Sequence, residues 1–363
     1  MNEHKMWDIV RQFGFAGETE SIAPFGRGHI NDTYSVSCTG GYKYILQRIN
    51  VSIFRHPEDV MNNIEQVTLY LRDKIRERGG DERRETLHVL RASDGRTFIT
   101  DNTGEVWRAY DFIPNSVSCD IARNAGDSYR CGIAFGSFER DLADFPVDRL
   151  KETIPNFHYT PARYDNFEQA VRQNSAMRAE GCSDEIHFLE ERAACRSELT
   201  DGCAAGKLPV RVTHNDTKIN NVLFDRVTGE ILAVVDLDTV MPGLTAYDFG
   251  DMIRSGAATG AEDEADLSKV GFDISKFEGY LRGYIEGCGG ALTKEEIRVL
   301  PRAAYVITYE QALRFLEDHL NGDIYYKISV PGHNLIRART QIRLLSEMEK
   351  YMDEMQRMTA AYL

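Results

Sequence analysis

Val212-Thr213-His214-Asn215-Asp216-Thr217-Lys218-Ile219-Asn220-Asn221, followed by Val234-Val235-Asp236, is the stretch that decides how this chain is read. Two short apolar runs, Asn221 to Phe224 and Ile231 to Val235, flank the polar segment Asp225-Arg226-Val227-Thr228-Gly229-Glu230, the pattern of a hairpin. The loop before it spells H-x-D-x-x-x-x-N through His214, Asp216 and Asn221, and Asp236 stands where the hairpin returns. Asp and Asn are also common turn residues, because their side chains bond local backbone. Turn chemistry alone does not predict a spaced loop, a strand and a further carboxylate in that order.

Outward from this stretch, the first third reads as strands: Thr33 to Cys38, Tyr42 to Ile49, Thr86 to Leu90 and Val106 to Ile113. Val60, Ile64, Val67, Leu69 and Leu71 recur at roughly helical spacing, and Gly79-Gly80 ends that helix. Beyond Pro114 the periodicity turns helical: 127–143, 167–180, 185–199, 276–287, 295–320 and a final helix from Asn334 to about Met358. The expectation is an α+β fold. A small antiparallel-sheet lobe with one main helix spans 1–114, and a larger, mostly helical lobe spans 115–363.

Composition narrows the partners. The chain has 363 residues, 57 acidic against 43 basic, and a net charge of -14. Phosphate backbones attract basic surfaces, so nucleic acid is not expected as a partner. A single nucleotide needs only a few local donors and a metal ion. No apolar run reaches a membrane-spanning length, and the N-terminal residues lack the pattern of a secretion signal. The seven cysteines lack C-x-x-C spacing. These features lead us to expect a cytoplasmic protein, monomeric or a weak homodimer, acting on a small molecule.

The H-x-D-x-x-x-x-N spacing resembles that of the protein-kinase catalytic loop, where Asp receives the hydroxyl proton and Asn holds a metal ion. Asp216 and Asn221 take those positions, and Asp236 is a suitable second ligand, since magnesium prefers carboxylate, amide and phosphate oxygens. Asp248-Phe249-Gly250 reproduces the kinase metal-binding tripeptide literally, yet it opens a helical pattern instead of closing a strand. Asp248 is therefore expected to cap a helix or brace the catalytic loop. Asp238 is a rival to Asp236, sharing its face in an extended segment, or a member of the outer metal shell.

Phe25-Gly26-Arg27-Gly28-His29-Ile30-Asn31 forms a G-x-G-x-x-N turn between two strands. A dinucleotide-binding glycine loop leads into a helix, so Gly26 and Gly28 suit a loop folded over nucleotide phosphates, or a plain hairpin turn. The basic residue that a kinase carries on the next strand is absent: Gln47 occupies its place. Arg48 should face the other way. Glu65 is the expected helix partner for whichever group turns inward, or else a surface carboxylate. Lys218 is placed to stabilise the moving phosphoryl group or the acceptor. Arg314 lies among apolar residues in a helix, as a buried functional group or as an ion pair with Asp318. His158 and His187 are read as ordinary polar residues.

These residues resemble the aminoglycoside-phosphotransferase and choline-kinase superfamily. Within it, Gly28-His29-Ile30-Asn31, Tyr44-Ile45-Leu46-Gln47, Thr213 to Lys218, Asp236-Leu237-Asp238-Thr239, Met241-Pro242-Gly243, Asp248-Phe249-Gly250-Asp251, Gly322-Asp323-Ile324-Tyr325 and His333-Asn334-Leu335 resemble the N-acetylhexosamine 1-kinases, over about residues 20 to 350. The resemblance implies ATP- and Mg²⁺-dependent phosphorylation of N-acetylglucosamine or N-acetylgalactosamine at the anomeric hydroxyl by direct in-line transfer. It casts Asp216 as base, Asn221 and Asp236 as magnesium ligands, and His29, Lys218, Arg314 and Tyr325 as the sugar-facing set. The backbone from Tyr110 through Phe112 to Ile113 would meet the adenine. Gln47 also fits that subfamily. The competing readings are a kinase for choline, homoserine, methylthioribose or an aminoglycoside, and an inactive kinase-like ligand-binding module.

Overall fold

A computed structural model describes residues 3–26 and 30–363. Met1–Ser118, Asp144–Ile154 and Val222–Met241 make one compact unit, and Cys119–Ala143, Pro155–Asn221 and Pro242–Leu363 make the other. The sequence suggested a division at residue 114. The first unit instead runs four residues further and takes in two later segments.

In the first unit, helix α1 (Glu3–Val10) precedes strands β1 (Thr19–Pro24), β2 (Asp32–Cys38) and β3 (Lys43–Ile49). Helix α2 (Pro57–Glu77) follows, then β4 (Val89–Leu90), β5 (Ile99–Thr100) and β6 (Val106–Asp111). The antiparallel sheet runs β1-β2-β3-β6-β4, with β5 also paired to β6. Side chains alternate across a strand, so each strand gives one set to each face. Val36, Leu46, Trp107 and Ala109 form one face and bury against Met6, Ile9 and Val10 of α1. Thr33, Gln47 and Arg108 are direct cross-strand partners on the opposite face. Helix α2 starts with Pro57 in its first turn and ends before Gly79, whose φ of 76° suits a residue without Cβ. Its Val60, Met61, Ile64, Val67 and Leu71 make one buried stripe.

The expected hairpin is present as β8 (Val222–Asp225) and β9 (Ile231–Val234), and β7 (Ser116–Val117) adds a third strand beside β8. Val222 lies opposite Val234, so the residues before β8 and after β9 leave the hairpin at the same end. Buried Asn63 of α2 ties the returning segment down, donating to the carbonyls of Lys151 at 2.7 Å and Val240 at 3.0 Å.

The second unit is helical: α3 (Ala125–Asp141), α4 (Thr160–Gln173), α5 (Ser183–Glu191), α6 (Glu198–Ala204), α7 (Thr245–Gly256), α8 (Ile274–Cys288), α9 (Lys294–Leu320) and α10 (His333–Ala360). The helix expected over 185–199 is broken. Its residues divide between α5, a 3-10 turn at Ala193–Ser197 and the start of α6. The strand expected over 86–90 pairs only at Val89–Leu90. Among the described residues no helix is long and apolar enough to cross a membrane.

Helices α3 and α8 meet through glycines spaced four apart, Gly132 and Gly136 against Gly279, Gly283 and Gly287. A Cβ on Gly283 would stand 2.1 Å from the Tyr129 carbonyl oxygen, and one on Gly136 would stand 2.3 Å from that of Tyr284. Backbone meets backbone here, so no rotamer change relieves the clash. We predict that Gly283→Ala lowers unfolding free energy by about 1–3 kcal/mol through overpacking. A urea midpoint equal to that of the wild type would contradict this packing.

Candidate active site

The catalytic-loop candidate leaves the extended segment Arg211–Thr213 in the second unit and turns at Asn215, whose φ is 64°. Asn tolerates this left-handed backbone better than most residues, but the conformation still needs outside support. Asp248 in the first turn of α7 supplies it. Its Oδ2 accepts the His214 N–H at 2.7 Å and its Oδ1 the Asn215 N–H at 2.6 Å. One turn on, Asp251 Oδ2 accepts the Thr217 N–H at 2.9 Å. The D-F-G string therefore braces the loop, as its helical context suggested.

Beneath this brace lies Glu139, whose carboxyl is pushed well up by burial and then by the Asp248 charge. The hydroxyl of Tyr284 donates to its Oε1 at 3.2 Å. His158, read from sequence as an ordinary polar residue, is buried and braces the loop from another side. Its Nδ1 meets Glu310 Oε1 at 2.8 Å and its Nε2 meets the Asn215 carbonyl at 3.2 Å.

Asp216 follows. Its side chain is 30% exposed, and its Oδ1 pairs with Lys218 Nζ at 2.8 Å. Asn221 donates its amide to the Asp216 carbonyl at 2.9 Å and to Oδ2 at 3.2 Å. Desolvation pushes the Asp216 carboxyl up, but the charges of Lys218, His214 and Arg254 outweigh it and hold the group at about 2. Lys218 is pushed up in turn, chiefly by Asp216. Arg254 is anchored by Asp251 at 2.9 Å and Glu262 at 2.7 Å.

Arg314 does not pair with Asp318. Its guanidinium lies 5.1 Å from the Phe157 ring centre and 5.9 Å from that of Tyr326, and its Nη1 reaches Gln311 at 3.4 Å. Asp318 is committed to the loop after α9: its carboxylate accepts the N–H groups of Ile324, Tyr325 and Tyr326 at 2.8, 2.8 and 3.0 Å. Tyr325 is half-exposed on that loop, its ring 4.8 Å from Tyr326. Nothing local in the sequence signals this cage, because a carboxylate receiving backbone donors leaves no residue pattern.

The remaining candidates belong to the first unit. Gly28 and His29 lie outside the described residues. Gly26 turns with φ 74°, and Phe25 meets Phe112 edge-on at 6.0 Å. Tyr110 and Ile113 are buried. Gln47 turns to the Arg108 row, whereas Arg48 faces the other way, paired with Asp32 and with Glu105 at 2.7 Å. Glu65 is not the inward partner: it pairs with Arg91 near the surface, because the buried stripe of α2 offers Met61 beneath the sheet.

Asp236 follows β9 in the left-handed region, φ 62°, just before a 3-10 turn at Leu237–Thr239. That turn replaces the extended segment expected at Asp238. Asp238 is buried and ion-paired to Arg108, and its other oxygen accepts from Asn31. Of the proposed metal ligands, Asp236 offers a carboxylate. Asn221 has its NH₂ committed to Asp216, so its amide oxygen is the donor left for a cation. Both are hard oxygen donors of the kind magnesium takes.

Residues 21–282 match the model of the phosphotransferase enzyme family, APH. The chain belongs to that family. Among solved structures, an aminoglycoside phosphotransferase from Alicyclobacillus acidocaldarius superposes with a TM-score of 0.61 at 12% identity, covering 98% of this chain and 96% of that one. A choline/ethanolamine kinase family protein from Mesorhizobium loti gives 0.57 at 17% identity, covering 98% of each chain. The amicoumacin kinase hAmiN, solved with AMP-PNP, Ca²⁺ and Ami, gives 0.59 at 14% identity, covering 98% of this chain and 94% of that one. These likenesses establish the kinase-like fold, a sheet-based N-lobe and a helical C-lobe, and the chain is a kinase-like phosphotransferase.

Glu139 yields a pH prediction. Its folded value lies above its ordinary one near 4.5, so above that pH the unfolded chain releases a proton that the folded chain keeps. Stability then falls as pH rises from about 4.5 towards the raised value. Glu139→Gln should flatten this decline in urea titrations run from pH 4.5 to 7.5, and an unchanged slope would show that Glu139 ionises normally.

Proposed function

We propose that this phosphotransferase is an ATP- and Mg²⁺-dependent kinase that phosphorylates N-acetylglucosamine or N-acetylgalactosamine at the C1 hydroxyl. The observation that carries the reading is Asp216: ionised, partly exposed, and held between Lys218 at 2.8 Å and the amide of Asn221 at 3.2 Å. In the transfer, the sugar O–H proton passes to Asp216 as the C1 oxygen bonds to the γ-phosphorus. The bond to the β-γ bridging oxygen breaks, and ADP leaves with that electron pair.

A carboxylate held near 2 is a weak base at rest. Phosphoryl transfer in most analyses runs through a loose transition state with late proton movement, so Asp216 acts first by orienting the hydroxyl. Lys218, drawn from Asp216 by the incoming phosphates, is suited to charge developing on the transferred group. Magnesium, with Asn221 and Asp236 as its protein ligands, would neutralise the β and γ oxygens.

For the acceptor we assign Arg314, Tyr325, Lys218 and His29. A neutral sugar with an acetamido group is recognised by donors and acceptors at fixed angles, which these residues provide. A cationic acceptor such as choline or an aminoglycoside would have to approach the positive charge of Arg314, which the neighbouring Tyr326, Glu310 and Tyr325 help to hold.

The direct test is incubation with ATP, Mg²⁺ and each N-acetylhexosamine, with choline and an aminoglycoside as parallel acceptors, and NMR assignment of the phosphorylated atom. Phosphate on C1 is the expected result. Turnover of choline alone would transfer the assignment to the other acceptor class, and no turnover with any acceptor would favour the inactive module. Asp216→Asn should lower kcat by about 10²–10⁴ while leaving ATP affinity within about threefold. Asp236→Ala should lower kcat comparably and raise the Mg²⁺ concentration needed. Near-normal turnover in Asp216→Asn would remove the proton-acceptor role.

A further inference from the structure

A kinase of this reading needs a cation for the α and β phosphates, and the strand position that ordinarily carries it holds Gln47, which has no charge. We propose that Arg108, on the neighbouring strand β6, is the residue that binds those phosphates, and that Gln47 is its positioning residue. The inference rests on the kinase reading above and names a binding residue that the reading lacks.

Three observations carry it. First, Gln47 and Arg108 are direct cross-strand partners on one face of the sheet, the face turned away from α1. Gln47 Oε1 accepts from Arg108 Nε at 3.0 Å, while Gln47 Nε2 donates to Thr33 Oγ1 at 3.0 Å. Both ends of the amide are thereby fixed, and the guanidinium is held in one orientation. A lysine at 47 would offer no acceptor for Arg108 and would set two cations side by side.

Second, Arg108 is 1% exposed, and a guanidinium at that depth requires negative partners. Its ion-pair partner is Asp238, from the 3-10 turn that follows Asp236.

Third, the helix partner expected in the ordinary arrangement is absent. Glu65 pairs with Arg91, and α2 presents Met61 to Arg108, with sulfur to Nη1 at 3.9 Å. The counter-ion of Arg108 comes from the turn at Asp238 and not from α2. The same Asp238 accepts from Asn31, whose Oδ1 takes the Asn50 N–H at 2.9 Å, so the turn also holds the end of the glycine segment.

The competing account is that Arg108 only neutralises Asp238. Isothermal titration of ATP, ADP and adenosine into wild type, Arg108→Gln, Gln47→Leu and the relocated pair Gln47→Lys/Arg108→Gln separates the two, with melting curves recorded for each. We expect Arg108→Gln to weaken ATP and ADP by about ten- to a hundredfold and adenosine by less than about threefold. Gln47→Leu should raise the KM for ATP several-fold without moving the KM for the acceptor. The relocated pair should recover at least about tenfold of the lost ATP affinity, and it gives the decisive reading if Arg108→Gln does not fold. Equal losses for adenosine and ATP, unchanged ATP affinity in a folded Arg108→Gln, or no recovery in a folded relocated pair would overturn the proposal. A wild-type chain that binds no nucleotide would instead remove the kinase reading beneath it.

Discussion

The carboxylate of Asp248 receives two consecutive backbone N–H groups, those of His214 and Asn215, at 2.7 and 2.6 Å. Those donors are consecutive because Asn215 adopts a left-handed backbone, and that conformation persists because the donors are satisfied. Everything after the turn inherits its position from this bond. Thr217 is caught by Asp251, Asp216 meets Lys218, and Asn221 reaches back to Asp216. His158 and Glu310 hold the carbonyl side of the same residue. The loop is thus gripped at its donors by α7 and at its acceptor by a buried imidazole, while Asp216 stays partly open to solvent.

The first unit solves a related problem with a sheet. One face is apolar and closes on α1, while the other carries a polar row from Thr33 through Gln47 to Arg108. A polar row under a sheet is costly unless each member is paired. Here each link has a partner, and the row ends on Asp238, beside the left-handed Asp236.

How much of this was legible in the sequence depends on how local each signal is. The spacing of His214, Asp216 and Asn221, the hairpin after it and the helical context of Asp248-Phe249-Gly250 are short-range patterns, and they led directly to the α+β kinase-like fold and to a brace at Asp248. The opposite facing of Arg48 followed from strand alternation alone. The partner of Gln47 was not legible, because it depends on the register between β3 and β6, 61 residues apart in the Gln47–Arg108 bond. The same holds for His158, whose partners Asn215 and Glu310 are 57 and 152 residues away. Glu65 stayed open between an inward partner and a surface carboxylate because the helical stripe fixes only which face of α2 is buried; it pairs with Arg91, and Met61 takes the inward position. Asp318 looked like an ion-pair partner at helical spacing, yet backbone donors from a later loop claimed it.

That last feature bears on how such an enzyme diversifies. Asp318 shapes the loop after α9 through main-chain N–H groups, which every residue except proline possesses, so the path of the loop is insensitive to the side chains it carries. Ile324, Tyr325, Ile328 and Val330 are exposed on or near it. Substitutions at those positions change the surface the loop presents while a single aspartate keeps its path, so the side chains displayed there vary at little cost to folding.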